Sequence, residues 1–134
     1  MENRSKLFLI LGALNAAVVV ALSAAGAHAL RAQLSSSNAT ELFATATQYH
    51  QFHALGLILL SLTMARFPTS RSLLWSGVLM KTGILLFCGG LYLNSLTSIR
   101  FLPGGIPAGG IAFMLAWLLM AVGVARCSTQ TTLS

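Results

Sequence analysis

Four long apolar runs alternate with short polar breaks along this chain, and the breaks place its elements. The polar stretch Ser35-Ser36-Ser37-Asn38, the turn at Pro68, and Pro103 beside Gly104-Gly105 separate the runs with residues that favour turns. Roughly 20 apolar residues suffice to cross the hydrocarbon of a bilayer. The pattern predicts helices at about 7–30, 41–67, 73–96 and 106–126, with a polar tail at 127–134. Pro68 stops the second helix, and Pro107 falls in the first turn of the fourth, where a missing N–H does little harm. The expected architecture is all-α: a single membrane domain over residues 1–134, built as an up-down bundle of four transmembrane helices.

The first run follows Arg4 and Lys6 and ends in Ala27-His28-Ala29, an outline shared with cleaved signal peptides. Its apolar part is longer than a signal core, so it reads as a retained transmembrane helix. Ala13, Ala17, Ala21, Ala25 and Ala29 recur every four residues, beside a row of Gly12, Ala16 and Ala24 that His28 continues. Small residues at this spacing let helices approach closely in lipid. The stripe therefore predicts a packed face, with His28 on it.

The second run opens on Gln48-Tyr49-His50-Gln51-Phe52-His53, the most polar and ring-rich segment in the chain. Polar groups at membrane depth need partners, so this segment is expected at the interface or against protein. Tyr49 and His53 share a helix face by their spacing. By depth, His28 and His53 are expected near the same outer level, with Tyr92 and Asn94 of the third run also in that half.

Composition strengthens the membrane reading. The chain has 134 residues, 56% hydrophobic and 7% charged, with mean hydropathy +0.81. A soluble domain carries roughly 25% charged residues. The net charge is +6, but the basic residues stand singly at the ends of apolar runs, which is a topology signal and not a nucleic-acid patch. Arg4, Lys6, Arg66, Arg71 and Arg126 fall on one side and Arg31 and Arg100 on the other. That bias places both termini in the cytoplasm. Cys88 and Cys127 lie in different segments, toward opposite faces, so no disulfide framework is expected.

Two groups of residues carry candidate chemistry. In the first, His28, Tyr49, His50, His53 and Tyr92 form an interhelix polar cluster or a ligand site. The favoured reading is structural, with these side chains bonding one another and backbone carbonyls. The alternatives are a metal site at His28, His50 and His53, or a haem or quinone pocket. In the second, Asn15 and Lys81 lie about equally deep and are expected to pair; the competing reading has Lys81 reaching for the inner headgroups. Glu2 and Glu41 are the only acids, which leaves no paired carboxylates and no triad. No catalytic residues, no cofactor and no enzymatic activity are expected.

Four segments occur in order: Gly26-Ala27-His28-Ala29-Leu30, Tyr49 with His53-Ala54-Leu55, Gly83 to Tyr92, and Pro107 to Trp117 with Gly109-Gly110 and Ala112-Phe113. Together they resemble the family of small four-helix membrane proteins of unknown function that includes bacterial YgdD and eukaryotic transmembrane protein 256. The resemblance spans roughly residues 7 to 126. It implies a four-helix bundle in the bacterial inner (plasma) membrane, or the mitochondrial inner membrane in eukaryotes. It supplies no catalytic residues. Cys88 and Gly90 stand where that pattern has serines, Ile106 stands where Thr is common, and His50 and Lys81 are individual to this chain, so no role for them follows from the resemblance. The expected function is a non-catalytic interaction, accessory or assembly subunit whose partners are the bilayer and a membrane protein or a second copy. The alternative is a small carrier or binding protein for a metal, proton, haem or hydrophobic ligand at the outer His/Tyr cluster.

Overall fold

The computed structural model describes residues 1–131, with side chains through residue 127. The chain forms four helical arms: a first helix Asn3–Ala27, a second Ser37–Arg66, a third Arg71–Leu96 and a fourth Gly105–Thr131. The third changes its winding midway: Arg71–Gly83 is α-helical, Ile84–Cys88 is a π-helical turn, and Gly89–Leu96 resumes the α-helix. Residues 132–134 of the expected polar tail lie outside the described residues. Its earlier part, to Thr131, continues the fourth helix.

Local chemistry explains where the ends differ from the expected ones. The second helix starts at Ser37 because Ser36 caps it, its hydroxyl accepting from the Ala39 N–H at 3.1 Å. Serine is a favoured cap, so the polar break supplies the helix start as well as the turn. The first helix ends at Ala27, where the Leu30 N–H turns back to the Ala25 carbonyl at 2.7 Å. His28 therefore leaves the helical row it was expected to continue.

The first and third helices and the Gly105–Cys127 part of the fourth are each long and apolar enough to cross a membrane. The second is as long but carries its polar segment in mid-course. The protein is thus an all-α, multi-spanning membrane protein.

Cross-helix neighbours fix the topology. Ser61 donates its hydroxyl to the Ser5 carbonyl at 2.6 Å, and Gly26 lies on Phe43, so the first two helices run antiparallel. Ser76 donates to the Ala116 carbonyl at 2.7 Å, and Gly123 meets Leu73, so the last two do likewise. The second and third helices are antiparallel through Gly56 on Met80 and Leu60 on Gly77. The core between them holds Phe8, Leu57, Leu60, Met64, Leu73, Met80, Ile84, Cys88, Phe113 and Ala116. Cys88 is fully buried there as a small apolar residue.

The first helix buries Ser5, Phe8, Gly12 and Val19 against its neighbours. At Gly12 the close approach is real: a Cβ would lie 2.7 Å from Ile58 Cγ1 and 3.1 Å from the Ala54 carbonyl oxygen. The alanine stripe faces elsewhere. Ala13, Ala17, Ala21 and Ala29 are exposed, and Ala25 is half-buried. This corrects the expected packed face. Bulky Phe8 and Val19 gain more by burial than alanines do, and they turn the helix so that the stripe points outward.

Candidate functional site

The site grows from two histidines one helical turn apart. His50 and His53 lie on the inward side of the second helix, 4% and 3% exposed. A buried imidazole must satisfy both of its nitrogens, and each of these does. His50 Nε2 faces Asn15 Oδ1 at 3.1 Å, and its Nδ1 faces the Tyr92 hydroxyl at 3.0 Å. The Asn15 amide nitrogen donates to the Leu11 carbonyl at 2.7 Å, so its oxygen must be the atom that meets His50. Hence His50 carries its proton on Nε2 and accepts from Tyr92. His53 is the opposite tautomer. Its Nδ1–H donates to the Tyr49 carbonyl at 2.7 Å, and its Nε2 accepts from the Trp117 indole N–H at 3.1 Å. A second proton on His53 would set two donors against each other at Trp117.

Together the two rings reach all three other helices: the first through Asn15, the third through Tyr92 and the fourth through Trp117. Aromatic contacts extend the junction. His53 stacks on Phe113 with ring centroids 3.5 Å apart, and Tyr92 meets Phe43 edge-on at 5.4 Å. Tyr49 leans on Phe87 at 4.8 Å.

Several expected placements change. His28 stands apart: it is exposed at the end of the first helix, and among the described residues no hydrogen bond joins its ring to Tyr49 or His53. The helix ends before it, so nothing holds it to the packed face. Tyr49 contributes its backbone carbonyl to the junction, while its side chain is 42% exposed. The Asn15–Lys81 pair does not form. The first helix packs mainly along the second, so His50 is the polar group Asn15 meets. Lys81 is half-buried on the third helix. The three-histidine metal set is not assembled: His28 is exposed past the end of the first helix, and both nitrogens of His50 and of His53 are engaged. Among the described residues no three His, Cys, Asp or Glu side chains gather as a metal site.

Trp117 was absent from the expected set, although Phe113 and Trp117 repeat the i, i+4 spacing of Tyr49 and His53. That parallel was the available signal. Beside the junction, the second and fourth helices part over Phe87 and leave an open groove of about 650 Å³. Gln48, Tyr49, Phe52, His53, Phe113 and Trp117 are among its walls. A second recess of about 810 Å³ lies by the 97–107 connection and includes Arg100. There Asn94 Oδ1 already accepts from the Phe101 N–H at 2.8 Å, and Thr97 Oγ1 from the Ile99 N–H at 3.2 Å.

Known proteins set this arrangement in context. Residues 22–110 match the family described as "Protein of unknown function (DUF423)". The UPF0382 membrane protein YwdK of Bacillus subtilis (strain 168) is 38% identical over 121 residues, covering 90% of this chain and 98% of the relative. The UPF0382 inner membrane protein YgdD of Escherichia coli (strain K12) is 36% identical over 124 residues, covering 91% of this chain and 92% of the relative. No solved structure matches the chain. Family match and full-length relatives agree: the chain belongs to the DUF423/UPF0382 family of membrane proteins of unknown function.

Proposed function

We propose that this protein is a non-catalytic interaction or assembly subunit of the bacterial inner membrane, crossing it four times with both termini in the cytoplasm. The second helix is the fourth span, with His50 and His53 of its polar segment buried against the other three helices. The basic residues Arg4, Lys6, Arg66, Arg71 and Arg126 support that orientation. The name of the YgdD relative supports the inner membrane. By the resemblance to transmembrane protein 256, a eukaryotic counterpart would sit in the mitochondrial inner membrane.

One observation carries the reading. The first helix leaves Ala13, Ala17, Ala21 and Ala24 exposed in a row beside Ile10, Leu14 and Val20, while the polar side chains of the buried junction are engaged with one another. In lipid, a face of small residues is the surface another helix approaches most closely. Gentle detergent extraction followed by mass spectrometry of the intact assembly tests this. A stoichiometric membrane partner or a second copy is expected, lost on Ala17→Leu. Recovery of a bare monomer from several mild detergents would overturn the reading.

A further inference from the structure

The groove between the second and fourth helices has a composition that an ordinary lipid contact does not need. Its lining includes six rings, from Tyr49, Phe52, His53, Phe87, Phe113 and Trp117. The rings are held in place: His53 is fixed by the Tyr49 carbonyl and the Trp117 indole, and it stacks on Phe113. From Pro107 to Trp117 the groove follows ten residue steps of helix, or about 15 Å. Its volume of about 650 Å³ falls in the range of small-molecule sites, about 300–1,000 Å³.

Two polar groups in the lining are unengaged. Neither the Gln48 side-chain amide nor the Tyr49 hydroxyl hydrogen-bonds to any described residue, although every other polar ring atom in the groove has a partner. Both are donors. His53 offers no nitrogen to a metal or to a haem iron, so a ligand here is held by stacking and by these donors. Phe52, Ile111 and Met114 are exposed along the groove and give it an apolar rim.

Adjacent glycines divide the labour on the fourth helix. At Gly109 a Cβ would run into the Phe87 backbone nitrogen, so this residue seats the helix on the π-helical turn. At Gly110 a Cβ would meet only the Phe87 ring, at 3.7 Å, which is ordinary contact. Packing between the helices does not require a glycine at 110. Its missing side chain keeps the groove open.

We infer that this groove binds a lipid-soluble molecule with a flat, carbonyl-bearing ring, of quinone chemistry, entering sideways from the bilayer. The ring stacks among Tyr49, Phe52 and Trp117, Tyr49 or Gln48 donates to a carbonyl, and the tail stays in the lipid. The site includes no residue of the first helix, so it stands independently of the alanine face.

The test uses tryptophan fluorescence. The chain has two tryptophans, and Trp75 is exposed on the third helix, so Trp75→Phe leaves Trp117 as a reporter inside the groove. A short-tailed benzoquinone titrated into this protein in lipid nanodiscs should quench Trp117 with a saturable curve. Adding Gly110→Leu should abolish the saturable part. Tyr49→Phe, which keeps the ring, should weaken binding about three- to tenfold, as loss of one hydrogen bond does. Quenching that rises linearly with quinone, or that is unchanged in both variants, overturns the inference. So does quenching of Trp117 by a phospholipid with brominated acyl chains that the quinone fails to displace, because ordinary lipid then fills the groove.

Discussion

The histidine junction and the alanine face of the first helix lie on the same bundle and obey different rules. At the junction, direction decides. Asn15, His50 and Tyr92, and likewise Tyr49, His53 and Trp117, fit only if donors meet acceptors, so the three bonds that cross between helices fix their rotation. On the alanine face nothing is directional. Ala13, Ala17 and Ala21 offer shape alone, and the bundle closes without using them. A periodic stripe announces that close approach is available. It does not say which neighbour takes it up, whereas a buried polar group leaves few choices because an unpaired one is expensive.

Paired substitutions can break or sharpen this contrast. The largest effect is expected across one peptide bond of the first helix. Gly12→Leu forces a side chain into Ile58 and the Ala54 carbonyl and should destabilise the bundle by at least about 3 kcal/mol, the upper end for overpacking. Ala13→Leu, on the exposed face, should change the stability of the single chain by less than about 0.5 kcal/mol. Thermal unfolding in detergent measures both, and similar losses would erase the distinction between the faces.

Next is His53→Ala, which strands the Trp117 indole N–H and opens a cavity beside Phe113; a loss of about 2–4 kcal/mol is expected. Trp117 emission should shift at the same time, and an unaltered spectrum would remove the His53–Trp117 bond from the account. Asn15→Ala takes one acceptor from His50 and should weaken the bundle by about 0.6–2 kcal/mol, the range for interhelical hydrogen bonds in membranes. Combined with His50→Ala it should show clear non-additivity in a double-mutant cycle. Full additivity would mean the two do not interact. The smallest effect belongs to His28→Ala, expected within about 0.5 kcal/mol of the parent protein because its ring is exposed and bonds to no side chain among the described residues. A larger loss would return His28 to the site.

Much of the membrane character was legible in the sequence, but the pairing of its polar groups was not. Apolar run length and isolated basic residues mark a multi-spanning α-helical protein without any tertiary information. His50 and His53 stood out as polar groups at depth that needed partners. His50 meets Tyr92 and His53 meets the Tyr49 carbonyl, both inside the expected set, whereas His28 and Lys81 join neither ring, because depth along separate helices says nothing of rotation about each axis. His28 has a suitable depth but lies past the end of its helix. Lys81 has a depth similar to Asn15, but Asn15 turns toward the second helix. Trp117 is hard to single out from sequence, because an aromatic in an apolar run looks like filler until its N–H faces a histidine.

Sequence alone determined the segments: four helical runs, the polar segment in the second, and the shortage of acids that argues against carboxylate chemistry. Those are one-dimensional properties, set by how much apolar surface each run carries. Tertiary structure decided which face of each helix turns inward, and with it everything about the site. Phe8 and Val19 outcompeted the alanines for burial, Gly109 drew the fourth helix onto the π-helical turn, and the parting of the second and fourth helices opened the groove. Helix rotation follows from packing against all neighbours at once, and no single segment contains that information.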